Sequence, residues 1–191
     1  MQDNHYLVPA QLHGNEKNIA YNIDVKTVED AEDWFVDAKE RLLDVNNWKK
    51  YSAGISMDFK LTDIHGKVLN RKAHNHDHIR IDMPAQAGGF DWVAIEALEY
   101  DDYPDMDIET FAMRVRPGND PANKQDSTAI GDATSTIVIE RIGKKLIASY
   151  HGRNESSKNS NAQQEHNTTE NAFWLGLSDT EWAKLIKGLI D

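Results

Sequence analysis

The chain has 191 residues, 39% of them hydrophobic and 28% charged, with a formal net charge of -11. That length supports one domain with a real core, and the negative field argues against broad docking on nucleic acid or an anionic membrane surface. There is no cysteine, which excludes disulfides and thiolate metal sites.

The first residues, Met1 to Asn18, lack the basic start and apolar core of a signal peptide, and no run approaches the roughly 20 apolar residues of a membrane span. A cytoplasmic protein is expected, and the sequon-like Asn154-Glu-Ser and Asn167-Thr-Thr are then chance matches. Residues 1–19 are polar and read as a flexible N-terminal arm, with residues 20–191 as a single α+β domain.

Ala20 to Val25 suits a short strand. A helix follows. Thr27 is its N-cap, and Glu29 and Asp30 sit in the first turn. Val28, Ala31, Trp34, Phe35, Ala38, Leu42 and Val45 share one face. Asn46-Asn47 stops it, and Trp48 and Tyr51 fold back under it.

From Gly54 the period changes to two: Ile55, Met57, Phe59 and Leu61 alternate with polar residues. Ile79, Ile81 and Met83 give the next strand, ended by Pro84. Trp92 to Tyr100 gives a third. Phe111, Met113 and Val115 alternate with Arg114 and Arg116 in a fourth. Residues 134–153 read as a hairpin turning at Gly143-Lys144. The stretch after Asn154 is nearly devoid of apolar residues up to Asn171 and cannot offset its own ordering entropy without a ligand or partner. Ser178 and Glu181 form a capping box. Trp182, Leu185, Ile186 and Leu189 give the last helix its apolar face. Strands that follow one another at hairpin spacing, with helices at both ends, predict an α+β fold: a curved antiparallel sheet of about six strands with an N-terminal and a C-terminal helix packed on one side.

This order of elements, with "LLDVNNWKKYS" (Leu42 to Ser52) as a helix end carrying a Trp before the next strand, resembles the helix-grip superfamily of START-like and polyketide-cyclase-like domains. The resemblance covers roughly residues 20–191. It implies a cavity between sheet and C-terminal helix for a lipid or other apolar ligand, near Trp92, Trp174 and Trp182. Two features depart from the pattern: the last helix, Ser178 to Ile190, is short, and the Asn-rich stretch before it has no counterpart.

Four groups could carry chemistry. His74, His76 and His78 recur at every second position, which on a strand would put three imidazoles on one face. Zinc, iron or nickel accepts such ligands. Rings on an extended chain stand ~6–7 Å apart, however, so convergence needs a bend or help from His65, Asp77 or His151. The alternative is a polar lead-in to a strand, beside Arg80, whose cation disfavours a metal. Arg80, Arg114 and Arg116 lie on the non-core face of their strands, with His151 and Arg153 able to join them. Such a set could hold an anion or pair across strands with Asp82, Glu96, Glu99 and Glu140. Asp101, Asp102, Asp105, Asp107 and Glu109 cluster as calcium-type oxygens without EF-hand spacing. His151 and Glu155 form a conceivable acid–base pair. No nucleophile elbow, P-loop, dinucleotide fingerprint or His-Glu-x-x-His is present.

The expectation is a binding module without a cofactor, holding a small apolar or anionic ligand, or a protein partner, against its sheet. Arg80, Arg114, Arg116, His151 and Arg153 are the candidate contacts. A metal-dependent enzyme using His74, His76 and His78 is the second reading, and a structural homo-oligomer is the third. No nucleic-acid or membrane partner is expected.

Overall fold

Thr27 and Ser178 open the two long helices with the same device. In the computed structural model, which describes residues 7–82, 90–123, 131–155 and 177–191, helix α1 spans Val28–Leu43 and helix α3 spans Asp179–Ile190. The Thr27 hydroxyl accepts the Asp30 N–H at 3.0 Å, and the Asp30 carboxylate accepts the Thr27 N–H at 3.2 Å. Ser178 and Glu181 repeat the exchange at 3.3 and 3.1 Å. Each box satisfies donors that the first turn leaves unpaired. Glu181 also accepts from Ser56, which ties the start of α3 to the chain entering the sheet.

Seven strands form one curved antiparallel sheet: β1 (Asn15–Asp24), β2 (Asp58–Thr62), β3 (His78–Asp82), β4 (Phe90–Tyr103), β5 (Ile108–Gly118), β6 (Thr134–Ile142) and β7 (Lys145–Glu155). Their order is β1-β7-β6-β5-β4-β3-β2, so only β1 pairs out of sequence. A strand and a helical segment precede the meander, and α3 lies across its concave face. The single turn α2 (Trp48–Tyr51) sits between α1 and β2.

The concave face is apolar because every second residue is. Phe59, Leu61, Ile79, Ile81, Val93, Ile95, Phe111, Met113, Val115, Ile137, Ile139, Leu146, Ala148 and Tyr150 point inward and are buried. They pack on Phe35, Ala38 and Leu42 of α1, on Trp48, and on Trp182, Leu185, Ile186, Leu189 and Ile190 of α3. Trp48 donates its indole N–H to the Leu42 carbonyl at 3.0 Å, which anchors the exit of α1. The hairpin turns at Gly143, whose φ is 55°.

Two boundaries differ from the sequence expectation. The strand expected from Gly54 starts at Asp58 because the chain bends through Gly54 at φ 85°; Ile55 and Met57 are nevertheless buried. β1 begins at Asn15, not Ala20, and the sheet has seven strands where about six were expected. Ahead of it the chain lies on the convex face, where Leu7 is buried against Ala112 and Val138. Met83, Pro84, Trp174 and the Asn-rich stretch beyond Glu155 lie outside the described residues. Among the described residues no helix is long and apolar enough to cross a membrane.

α3 approaches α2 closely at Gly188, where a Cβ would stand 2.2 Å from the Tyr51 carbonyl oxygen. In an open helix Gly→Ala gains about 1 kcal/mol. Here the sign reverses. Gly188→Ala is expected to lose about 1–3 kcal/mol from overpacking, read as a lower urea midpoint at unchanged slope; a stabilised variant would show that α3 does not dock this tightly.

Candidate functional site

The convex face carries the arginines, each already engaged. Arg80 grips Asp82 through Nε and Nη2 at 2.8 and 3.2 Å, and its guanidinium lies 4.5 Å from the Phe90 ring centre. Arg114 and Arg116 share one carboxylate, with their Nε atoms 2.8 and 2.7 Å from the two oxygens of Glu96. Burial works to raise the Glu96 pKa, but the two guanidiniums prevail and hold it below the usual range. β4 carries a bulge at this point: Ile95 pairs with Val115 and Ala97 with Arg114, leaving Glu96 extra.

His151 and Arg153 form a separate group on β7. The His151 ring meets Ser149 Oγ at 2.9 Å and Asn18 Oδ1 at 2.8 Å. Arg153 donates to Asn18 Oδ1 at 2.8 Å and to the carbonyls of Gly152 and Lys17 at 2.8 and 3.2 Å. β6 separates this pair from Arg114 and Arg116, and Leu7 packs on the face between them. The five expected contacts thus fall into three groups.

The histidine triplet does not share a strand face. Only His78 lies on β3; His74 to Asp77 form a turn, with His76 at φ 72°. Buried Asp77 organises it. Its carboxylate accepts the His74 N–H at 2.8 Å and both Arg71 nitrogens at 2.6 and 2.9 Å. The His76 N–H bonds the Ile95 carbonyl at 3.0 Å, and the Ile95 N–H bonds the Asp77 carbonyl at 2.8 Å, which continues the pairing along β4. The alternation in the sequence is real, but a left-handed residue breaks the extended geometry it assumes. Among the described residues no three His, Asp or Glu side chains gather as a metal site. In the acidic stretch, Asp107 and Glu109 hold buried Arg141 at 2.5 and 2.6 Å.

The interior offers a different arrangement. Between the sheet and α3 lies a void of about 10 Å³, lined by Trp48, Phe59, Ile81, Met113, Ser135 and Trp182 among others; that is room for one water-sized sphere. Trp182 is 1% exposed, and among the described residues its indole N–H has no acceptor. The indole stacks on Tyr150, with ring centres 3.8 Å apart and planes inclined by 19°. The Tyr150 hydroxyl lies 3.0 Å from Ser135 Oγ and donates to Glu155 Oε1 at 3.3 Å. Trp182 is among the tryptophans that the sequence placed at the grip. Trp92 is not at it: it alternates with buried Val93 and faces the convex side near Gly66. Trp48, which the sequence assigned only to anchoring, does anchor the exit of α1 and also lines the void.

Glu155 reaches the interior through a second bulge. Asn15 pairs with Glu155 but Lys17 with Gly152, so β7 carries one extra residue opposite β1. Asn154 takes φ 55° there and is held by the Leu12 and His13 N–H groups at 2.7 and 3.2 Å. Without the bulge, alternation from Tyr150 and Gly152 would turn Glu155 outward beside His151 and Arg153. With it, Glu155 is buried and His151 is on the opposite face, so the two do not form an acid–base pair. Burial raises the Glu155 carboxyl above its ordinary range, against the pull of Lys17. No simple period in the sequence marks the shift.

No family model matches the chain, and no curated protein matches it in sequence. Solved structures that resemble it include a hypothetical protein of Helicobacter pylori, at 14% identity and TM-score 0.39 over 72% of this chain and 68% of that one. A truncated norcoclaurine synthase of Thalictrum flavum also resembles it, at 9% identity and TM-score 0.38 over 75% and 79%. The same synthase in complex with dopamine and hydroxybenzaldehyde gives TM-score 0.34 at 9% identity, over 75% and 77%.

Burial, then Arg153, lowers the His151 pKa from its ordinary 6.5 to about 4. The imidazole is therefore neutral at physiological pH and adds no cation to the convex face. Its folded value lies below the unfolded one, so its contribution to stability is present above 6.5 and lost as pH falls toward 4. NMR titration is expected to place the His151 midpoint near 4; a midpoint near the ordinary value would show an open, solvated ring.

Proposed function

We propose that the chain is a small-molecule binding module whose ligand sits between the sheet and α3, in the position that the helix-grip resemblance implies. The single observation that carries this is the unpartnered indole N–H of Trp182 in an apolar interior. A buried donor without an acceptor costs about 1–3 kcal/mol. A ligand acceptor relieves that cost, while the apolar lining supplies the burial energy usual for such sites.

The ligand class follows from the lining. Trp48, Phe59, Met113 and Trp182 suit an aromatic or aliphatic body, and the polar groups are few and close together. A single aromatic ring exceeds the present void, so binding separates α3 from the sheet. The convex arginines compete poorly as a site, since an anion would have to displace Asp82 or Glu96 from charge-assisted bonds.

Toluene and anisole, matched in shape but not in acceptor, test the reading when titrated by ¹H–¹⁵N NMR. Both are expected to shift the Trp182 indole signal. Trp182→Phe keeps the ring and removes the N–H, and should weaken anisole roughly threefold to tenfold while leaving toluene unchanged. Shifts confined to the convex face would overturn it.

A further inference from the structure

The polar chain at the inner end of the grip has a direction. Tyr150 has one proton to give. With Glu155 ionised, that proton is committed to Glu155 Oε1, so the Tyr150 oxygen accepts from Ser135 across 3.0 Å. The Ser135 proton is then spent as well, and Ser135, which lines the void, can offer the ligand only a lone pair. With Glu155 protonated every bond reverses. The carboxyl donates to Tyr150, Tyr150 donates to Ser135, and the Ser135 proton becomes free for the ligand. Trp182 donates in both states.

We propose that Glu155, acting through Tyr150 and Ser135, sets whether this cavity accepts or donates a hydrogen bond at Ser135, and that with the carboxyl ionised the site selects a phenol- or enol-type O–H over its O-alkyl counterpart. The proposal rests on the grip being the ligand site. A phenolic oxygen suits the ionised state because it can donate to Ser135 and accept from Trp182 at once; an ether can only accept.

The backbone is built to hold this arrangement. The β7 bulge with its left-handed Asn154 serves to turn Glu155 inward, and bulges commonly re-aim a side chain at a site. Gly152 leaves the space: a Cβ there would stand 2.3 Å from Glu155 Oε1 and 3.1 Å from the Tyr150 hydroxyl. Among the described residues, the charged groups around Glu155 are Lys17 on β1, Arg153 on β7 and Asp179 at the start of α3, where Lys17 itself is ion-paired. Burial first, with Asp179 adding, outweighs Lys17, Tyr150 and Arg153, so the switch lies above the ordinary glutamate range.

Phenol and anisole titrated against pH read the switch directly, with Trp182 indole shifts as the signal. In the wild-type chain the preference for phenol over anisole is expected to fall roughly threefold to tenfold on acidification through the Glu155 titration. Glu155→Gln should make the preference independent of pH. So should Tyr150→Phe, which leaves the carboxylate in place but cuts the chain; Ser135→Ala cuts it at the other end should Tyr150→Phe fold poorly. A flat preference in the wild type, or a pH dependence that survives both cuts, would overturn the relay. If neither compound moves the Trp182 signal, the grip reading itself falls, and this inference with it.

Discussion

One constraint governs the rest of the molecule: the concave face of the sheet is apolar from Phe59 across to Tyr150 and has to be covered. The two capped helices and the Trp48 turn do the covering. A single fully buried side chain of this size contributes about 1.5–3 kcal/mol, so the paired faces of sheet and helices far outweigh any surface contact. The Trp182–Tyr150 stack lies at the centre of that seam. It is where α3, only 12 residues long, gains a large planar contact without needing the length of a longer gripping helix. Gly188 serves the same end, since losing its side chain lets α3 settle against α2.

The sheet departs from strict alternation at two bulges, and both have a polar consequence. On β4 the extra residue is Glu96 itself, which binds Arg114 and Arg116 together. The histidine-rich turn docks on the same strand beside it, through backbone bonds to Ile95. The pattern His74-x-His76-x-His78 thus belongs to a turn that extends strand pairing past the end of β3, with Asp77 as its working side chain. On β7 the extra residue sends Glu155 inward. One device supports the surface and the other places a carboxyl under the core.

Side-chain phase was legible wherever two signals agreed. Alternation of Ile79 and Ile81, of Met113 and Val115, and the capping box at Ser178 each combine a period with a boundary residue, and the structure follows them. Arg114 and Ile81 do face opposite ways, as the alternation requires. β1 was read short because Asn15, Glu16 and Asn18 look like loop, although they pair with β7, and pairing depends on a partner about 140 residues away. The interior site was half visible. Trp182 came from helical spacing, but Glu155 was matched with His151 because no simple period shows the bulge that turns it inward, even though Gly152 stands at the bulge's edge. Trp92 left the grip for a related reason: an aromatic in an alternating strand belongs to whichever face its neighbours leave it, and Val93 took the inside.

A core selected for stability alone would not be built as the inner end of this grip is. Burying Glu155 disfavours its charged form, Asn154 adopts a backbone conformation that few side chains accept, and the Trp182 donor goes unsatisfied. Strain and unpaired polarity of this kind are enriched at functional sites. Each feature alone has a structural explanation: a bulge can simply end a strand, and a buried carboxyl can simply meet Lys17. Their linkage to one void through Tyr150 and Ser135 does not, since valine at Ser135, phenylalanine at Tyr150 and an uninterrupted β7 would close the same space at lower cost. The interior polarity therefore argues for a ligand, and the direction of the Glu155–Tyr150–Ser135 chain says which end of that ligand the protein reads.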